Sequence, residues 1–480
     1  MTGAVLPANK TKVVATIGPA SNSPEMLERL IRAGLNVARL NFSHGEFSHH
    51  AEIVSRIRAA ADETGRRVAI MADLPGPKMR LGKIDPEPIQ LVPGDHISLT
   101  NQEIIGNARR VTMTFADLPQ VVKPGNRLYL NDGLVQLVVD RVSGNDVECT
   151  VAVGGELRSR KGLNLPGINL GVSAFTNRDR ECLEFALSQG VDAVSQSFIE
   201  SATDVNAVRS AAEKLGYHPL IIAKIERADA LKHYDEILAA SDGIMVARGD
   251  LGVEVPIESM ATLQKQLIAK ANLAGKPVIT ATQMLESMAN SRLPTRAEAT
   301  DVANAILDGT DCVMLSAESA MGKYPEEAVA MLAKIAAFTE THQPFTTLSA
   351  RRELMDLPPV AMTGADRMTL VMERALEMVT CDLVLVPTRS GATARMISRS
   401  KPAVWLIAPS RDQAVCQGLA FSFGVHAVEN TNEGSDWRAF IQRWLEANHV
   451  TAARVLLIAG PSPRHPQASH RIELMQLNDG

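Results

Sequence analysis

The sequence predicts an α/β protein: a closed parallel (β/α)8 barrel with an inserted all-β lid domain and a C-terminal α/β domain on an open sheet. Three observations lead there. Short, almost wholly apolar runs alternate with helix-like stretches through most of the chain before residue 342. One interval, from about Gly76 to Pro166, lacks strong helical patterning and is dense in turn residues. Beyond a polar, proline-bearing stretch, HQPFTTLSARRELMDLPP (342–359), a shorter alternation begins. At 480 residues the chain exceeds one ordinary core, so two to four domains are expected.

The barrel runs are KVVAT (12–16), NVARL (36–40), VAIMA (68–72), VDAVS (191–195), LIIAK (220–224), GIMVA (243–247), PVITA (277–281) and DCVML (311–315). Helical patterns such as SPEMLERLIRAG, TDVNAVRSAAEKLG and TRAEATDVANAILDG lie between them, opening on Ser, Thr or Pro and ending at Gly, as helix caps require. Eight βα units with strands apolar on both faces suit a TIM-type barrel. Periodicity alone does not separate this from an open doubly wound sheet.

Inside the interruption, PIQLV, HISLT, NRLYL and LVQLVVDRV are divided by PGD, KPGN, NDG and SGND. They predict a β-barrel lid over 77–166, inserted after the third strand and so emerging at the catalytic face of a barrel formed by 1–76 and 167–345. LVLVP (383–387), AVWLIAP (403–409), GVHAV (424–428) and RVLLIAG (454–460) place an open-sheet regulatory domain over 355–480.

Composition removes several function classes. A net charge of -5 and 4% aromatic residues offer neither a field nor a stacking surface for nucleic acid. No run approaches the ~18 apolar residues needed to span a bilayer, and the N-terminal MTGAVLPANKTKVV lacks the apolar segment of a secretory signal. The five cysteines, Cys149, Cys182, Cys312, Cys381 and Cys416, have no metal-type spacing and are expected to be buried free thiols in a reducing cytoplasm.

Polar residues gather where the strands end. Arg39 and Asn41 follow NVA, Asp73 follows VAIMA, Lys224 and Glu226 sit in IIAKIE, Arg248 and Asp250 follow GIMVA, Thr282 follows PVITA and Ser316 follows CVML. Barrel enzymes build their sites at that end. Residues two apart on a strand face the same way, so Lys224 and Glu226 can both enter the barrel mouth. Glu226 with Asp250 gives two hard oxygen ligands suited to Mg²⁺ or Mn²⁺ rather than zinc. A buried Lys224–Glu226 ion pair closing the barrel top is the competing structural reading.

TKVVATIGPAS, NVARLNFSHG, KGLNLPG, IIAKIER, DGIMVARGDLGVEVP, GKPVITATQMLESM, PTRAEATDVANAILDGTDCVMLSAES and GKYP resemble, in this order, segments of the pyruvate kinases. The resemblance spans residues 10 to about 340 and implies the last step of glycolysis, phosphoryl transfer from phosphoenolpyruvate to ADP, giving ATP and pyruvate. It implies Arg39, Lys224, Gly249, Asp250 and Thr282 as substrate contacts, with Lys224 stabilising the phosphoryl group in flight. Thr282 is linked to enolate protonation through a water relay, and Glu226 and Asp250 to the divalent metal. Asn41, His44, Arg80 and Lys161 match nucleotide contacts, although His44 serves equally well as a capping residue. Lid closure would exclude water from the transfer.

One departure bears on monovalent cations. The family's K⁺ site uses residues like Asn41, Ser43 and Asp73, all present, but DTKGPEIRT reads here as Asp73-Leu74-Pro75-Gly76-Pro77-Lys78-Met79-Arg80-Leu81. Lys78 replaces the usual glutamate and resembles the K⁺-independent branch, where an ammonium stands in for the ion. A hinge-surface Lys78 with K⁺ retained is the alternative. In the C-terminal domain Thr388, Ser390, Gly391 and Thr393 open a helix and resemble the loop where sugar-phosphate effectors bind; a simple capped loop reads nearly as well. The family resemblance further implies a homotetramer. A Mg²⁺-dependent pyruvate aldolase on a related barrel is the rival enzyme, and a non-catalytic metabolite sensor the rival of another class.

Overall fold

In the computed structural model, residues 6–77, 79–168, 170–342, 364–431, 436–459 and 471–477 are described. Eight parallel strands close the barrel in the order β1-β16-β15-β14-β13-β12-β3-β2, which excludes the open doubly wound sheet. The first three are β1 (Lys12–Thr16), β2 (Leu35–Asn41) and β3 (Ala69–Leu74). The chain then leaves through β4 (Ile89–Leu91), β5 (His96–Thr100), β6 (Arg110–Thr112), β7 (Arg127–Leu130), β8 (Val135–Ser143), β9 (Asp146–Val153), β10 (Gly155–Leu157) and β11 (Leu163–Asn164). It returns as β12 (Ala193–Gln196), β13 (Leu220–Ile225), β14 (Gly243–Ala247), β15 (Val278–Ala281) and β16 (Cys312–Leu315).

The strands look uniformly apolar because both their faces are buried. Val14, Met71, Ile222, Met245 and Ile279 fill the interior, while their neighbours Val13, Ile70, Ile221, Ile244 and Val278 pack against the surrounding helices. Two of the expected caps form in place, while the helix read as opening on Thr203 runs Ala202–Lys214 with Ser201 as its N-cap. Ser23 caps helix Pro24–Ala33 and accepts from the Met26 N–H, and Thr295 with Glu298 makes a reciprocal capping box on helix Arg296–Leu307.

The inserted segment has its own core, including Leu99, Val111, Leu128, Leu137 and Leu163. Six strands run in the order β11-β7-β8-β9-β5-β6, with β10-β4 as a separate pair. Bridges from Leu81 to Met113, beside β6, and from Arg80 to Gly162, beside β11, link the two edges of that sheet through the segment leaving the barrel. One helical turn, Leu118–Val121, is the exception to an all-β insertion.

The C-terminal sheet contains β17 (Leu383–Leu385), β18 (Trp405–Ser410), β19 (Val425–Glu429), β20 (Arg454–Ala459) and β21 (Arg471–Gln476), ordered β19-β18-β17-β20-β21. The edge strand β21 runs antiparallel to β20 and was not expected from the sequence. This domain plugs the barrel floor: Phe421, fully buried, joins the interior cluster. Asp311, just before β16, fixes that contact by accepting from the Phe423 N–H at 3.0 Å and pairing with Lys401 at 2.7 Å. All five cysteines are free and buried. The connecting stretch expected at 342–359 lies, apart from His342, outside the described residues, as does Lys78. Among the described residues no helix is long and apolar enough to cross a membrane.

Candidate active site

Each candidate side chain of the barrel stands at the carboxyl end of a strand, the face from which the insertion also departs. Asp73, in β3, is the hub, and it is 2% exposed. It accepts from Arg39 of β2, through Nε at 2.9 Å and again through Nη2, and from Ser195 Oγ of β12 at 2.8 Å. Lys224 Nζ of β13 lies 3.2 Å away. Burial opposes ionisation of this carboxyl, but Lys224 and Arg39 outweigh it and hold the group down to about 2. Arg39 Nη1 donates onward to Thr16 Oγ1 of β1 at 2.8 Å. One network thus crosses β1, β2, β3, β12 and β13, which are consecutive around the barrel.

Lys224 Nζ lies 2.8 Å from Glu226 Oε1 and donates to Ser197 Oγ at 2.6 Å. Burial alone would lower the lysine, but the Asp73 and Glu226 carboxylates reverse this and raise it above its ordinary value. The ion pair weighed as the structural alternative is therefore present, and it keeps the ammonium charged at the barrel mouth. Such a group acts as a fixed positive charge and is a poor proton donor near neutral pH.

Glu226 Oε2 accepts from the Phe198 N–H at 2.9 Å. Asp250 lies in helix Arg248–Glu254, directly after β14. The residue is exposed to solvent, but the protein packed near its carboxyl and the Glu226 charge push it up to about 7. Two carboxylates that repel each other favour a cation between them. Among the described residues no group of three His, Cys, Asp or Glu side chains could hold a metal, so water and substrate oxygens must complete any shell. That mixed oxygen set fits Mg²⁺ or Mn²⁺.

Thr282 and Gln283 both take left-handed backbone, with φ of 69° and 53°. Arg248 clamps this turn by donating from Nη2 to the Thr282 carbonyl at 2.7 Å, and Asp301 holds the other end of the guanidinium at 2.7 Å. The Gly249 N–H, expected to face substrate, donates to Thr282 Oγ1 at 2.7 Å. That hydroxyl in turn donates to the Ala281 carbonyl at 2.6 Å.

Two family models cover most of the chain: "Pyruvate kinase, barrel domain" matches residues 8–329 and "Pyruvate kinase, alpha/beta domain" matches residues 368–471. This chain belongs to the pyruvate kinase family. A pyruvate kinase of Thermococcus litoralis is 51% identical over 89% of this chain and 91% of its own. One from Clostridium acetobutylicum is 38% identical over 95% and 96%. The crystal structure of a pyruvate kinase from Cryptosporidium parvum superposes with a TM-score of 0.89 at 34% identity, covering 98% and 97%. The chain is thus a phosphotransferase of the pyruvate kinase type, and nothing in these relationships supports the aldolase alternative.

The other sequence candidates fall in three places. Asn41 ends β2 and His44 follows it, with Asn41 Oδ1 accepting from the Ser43 N–H at 3.1 Å. The next helix, Phe47–Thr64, has Glu46 at its N-cap, so His44 lies two residues before it, and its carbonyl bonds His50 Nε2 at 2.8 Å. Arg80 and Lys161 lie in the insertion, brought together by the Arg80–Gly162 bridge. Thr388, Ser390, Gly391 and Thr393 flank the start of helix Ala392–Ser398, where Thr388 Oγ1 accepts from the Gly391 N–H at 3.0 Å. Sequence reasoning missed Ser195, Ser197 and Phe198. It assigned no chemistry to the end of the fourth strand, although SQSF there places polar residues where every neighbouring strand has them.

Proposed function

We propose that this pyruvate kinase passes the phosphoryl group of phosphoenolpyruvate to ADP beside Lys224, with Mg²⁺ or Mn²⁺ at Glu226 and Asp250 and without K⁺. The observation that carries this reading is the buried Lys224 held between the Asp73 and Glu226 carboxylates at 3.2 and 2.8 Å. A positive charge fixed before reaction stabilises negative charge as it develops and costs no reorganisation. The divalent ion, when bound, supplies Lewis-acid charge for the phosphate and enolate oxygens. Arg39, oriented by Asp73 and Thr16, keeps donors for the substrate anion. Because Lys224 is a poor proton donor, enolate protonation falls to the Thr282 side, whose hydroxyl orients a water.

ADP would lie across the junction of barrel and insertion, contacted by Asn41 and His44 from one side and Arg80 and Lys161 from the other. The working units are the barrel (1–76 and 167–345), the lid (77–166) and a regulatory domain (355–480). In this reading the enzyme acts in the cytoplasm as a homotetramer, and a sugar phosphate binds near Thr388, Ser390, Gly391 and Thr393. The Gly391 N–H is already engaged, so hydroxyls of that loop would carry more of the contact.

K⁺ independence is supported at Asp73. Its carboxylate already serves Arg39, Lys224 and Ser195, so it has little to offer a second monovalent cation beside Asn41 and Ser43. Lys78 would supply the remaining charge. Pyruvate formation should persist in K⁺-free, Na⁺-free buffer with Mg²⁺, and Lys78→Glu should create a requirement for K⁺. A strong dependence of the parent enzyme on added K⁺ would sink the reading. The same assay with a panel of sugar phosphates tests the regulatory loop, where activation lost in Thr388→Ala is expected.

A further inference from the structure

The outgoing and returning connections of the insertion both bear on the residues around Glu226. On the outgoing side, Ser197 Oγ accepts from Lys224 at 2.6 Å and donates to the Leu74 carbonyl at 2.8 Å. The next residue, Phe198, donates its N–H to Glu226 Oε2 at 2.9 Å. Its ring packs against the core of the insertion. The ring also covers Gly76, in the segment that leads out of the barrel: a Cβ built on Gly76 would lie 2.8 Å from Phe198 Cδ2. On the returning side, Arg227, adjacent to Glu226 and 2% exposed, donates from Nη2 to the Ile168 carbonyl at 2.8 Å.

Phe198 has φ of 60°, a left-handed backbone that a bulky L-residue adopts only under strain. Such a conformation persists only where its surroundings determine it. Here Ile199, fully buried in the barrel core, fixes one side, and the insertion's core receives the ring on the other.

We infer that Phe198 is a positioning residue that couples the seating of the inserted domain to the orientation of Glu226, and so to divalent-metal affinity. This rests on Glu226 being a metal ligand. With the domain seated, the captured ring holds the left-handed peptide whose N–H aims Oε2. With the domain displaced, the ring loses its backing and the peptide is free to relax, releasing that oxygen. Coupling of this kind is reciprocal, so metal binding must also seat the domain.

The test is Mn²⁺ binding to the full, substrate-free chain, read as free Mn²⁺ by electron paramagnetic resonance. Hydrogen exchange of peptides covering 74–77 and 165–168 is followed in parallel, with and without Mn²⁺. Phe198→Asn tolerates the left-handed backbone but removes the ring, and its Mn²⁺ affinity should fall about 10-fold or more, the usual effect of losing a ligand's support. It should also lose the Mn²⁺-induced protection of those peptides, a signal that a merely structural role would not move. Phe198→Leu keeps apolar bulk and should recover most of both. Gly76→Ala crowds the ring from the other side and should weaken Mn²⁺ in the same direction. Parent-like affinity in both Phe198→Asn and Gly76→Ala, with Glu226→Gln weakened, would overturn the coupling while leaving the ligand assignment intact. Unchanged affinity in Glu226→Gln would overturn the assignment itself, and the coupling with it.

Discussion

Replacing Lys224 by methionine is expected to lower phosphoryl transfer at least ~10²–10³-fold, the usual loss when one pre-aimed charge at a developing anion is removed. Exchange of pyruvate methyl protons with solvent, the enolisation half of the reaction, should survive, because the Thr282 turn and its Arg248 clamp do not depend on the ammonium. The two activities are measured on the same sample, by coupled assay and by proton NMR in D₂O. Loss of both would mean that Lys224 does structural work only. The substitution also has a thermodynamic signature. Lys224 is a buried partner of Asp73 and Glu226, with 11% of its side chain exposed, and removing one member of such a set costs about 3–5 kcal/mol. In the parent, the depressed Asp73 carboxyl contributes stability that is full above its ordinary 3.8 and lost as pH falls to about 2. Without Lys224 that depression shrinks, so acid unfolding should begin at higher pH.

Phe421→Ala should be the largest purely structural loss, about 3–5 kcal/mol in chemical denaturation. The ring is fully buried in the barrel interior, and strands on all sides leave little room for collapse into the space it vacates. Phe338→Ala provides the contrast, since that ring is 70% exposed and its loss should stay within about 0.5 kcal/mol. Equal effects of the two would show that the floor plug does not stabilise the barrel.

The barrel was legible because its strands carry apolar residues on both faces and its helices carry explicit caps; Thr295 and Glu298 mark one start by themselves. Glu226, Asp250 and Lys224 were legible because strand ends converge at one rim, so a polar residue after an apolar run already has an address. Phe198 was not, because it acts through a peptide N–H and a ring, and neither differs in sequence from a core phenylalanine. Its left-handed backbone depends on contacts with the insertion, far along the chain. Phe421 was hidden for the same reason, since only tertiary structure shows that its ring enters another domain. Strand β21 escaped because it is an edge strand exposed along most of its length, so RIELMQ carries little apolar signal.

The most direct measurement is pyruvate release from phosphoenolpyruvate by the parent enzyme and by Glu226→Gln, with ADP and Mg²⁺ each supplied or withheld. The expected result is release only when ADP and Mg²⁺ are both present, with ATP formed in equal amount and the variant inactive or in need of far more Mg²⁺. Release without ADP, or a Glu226→Gln variant with parental Mg²⁺ dependence, would contradict phosphoryl transfer at a metal held by Glu226 and Asp250.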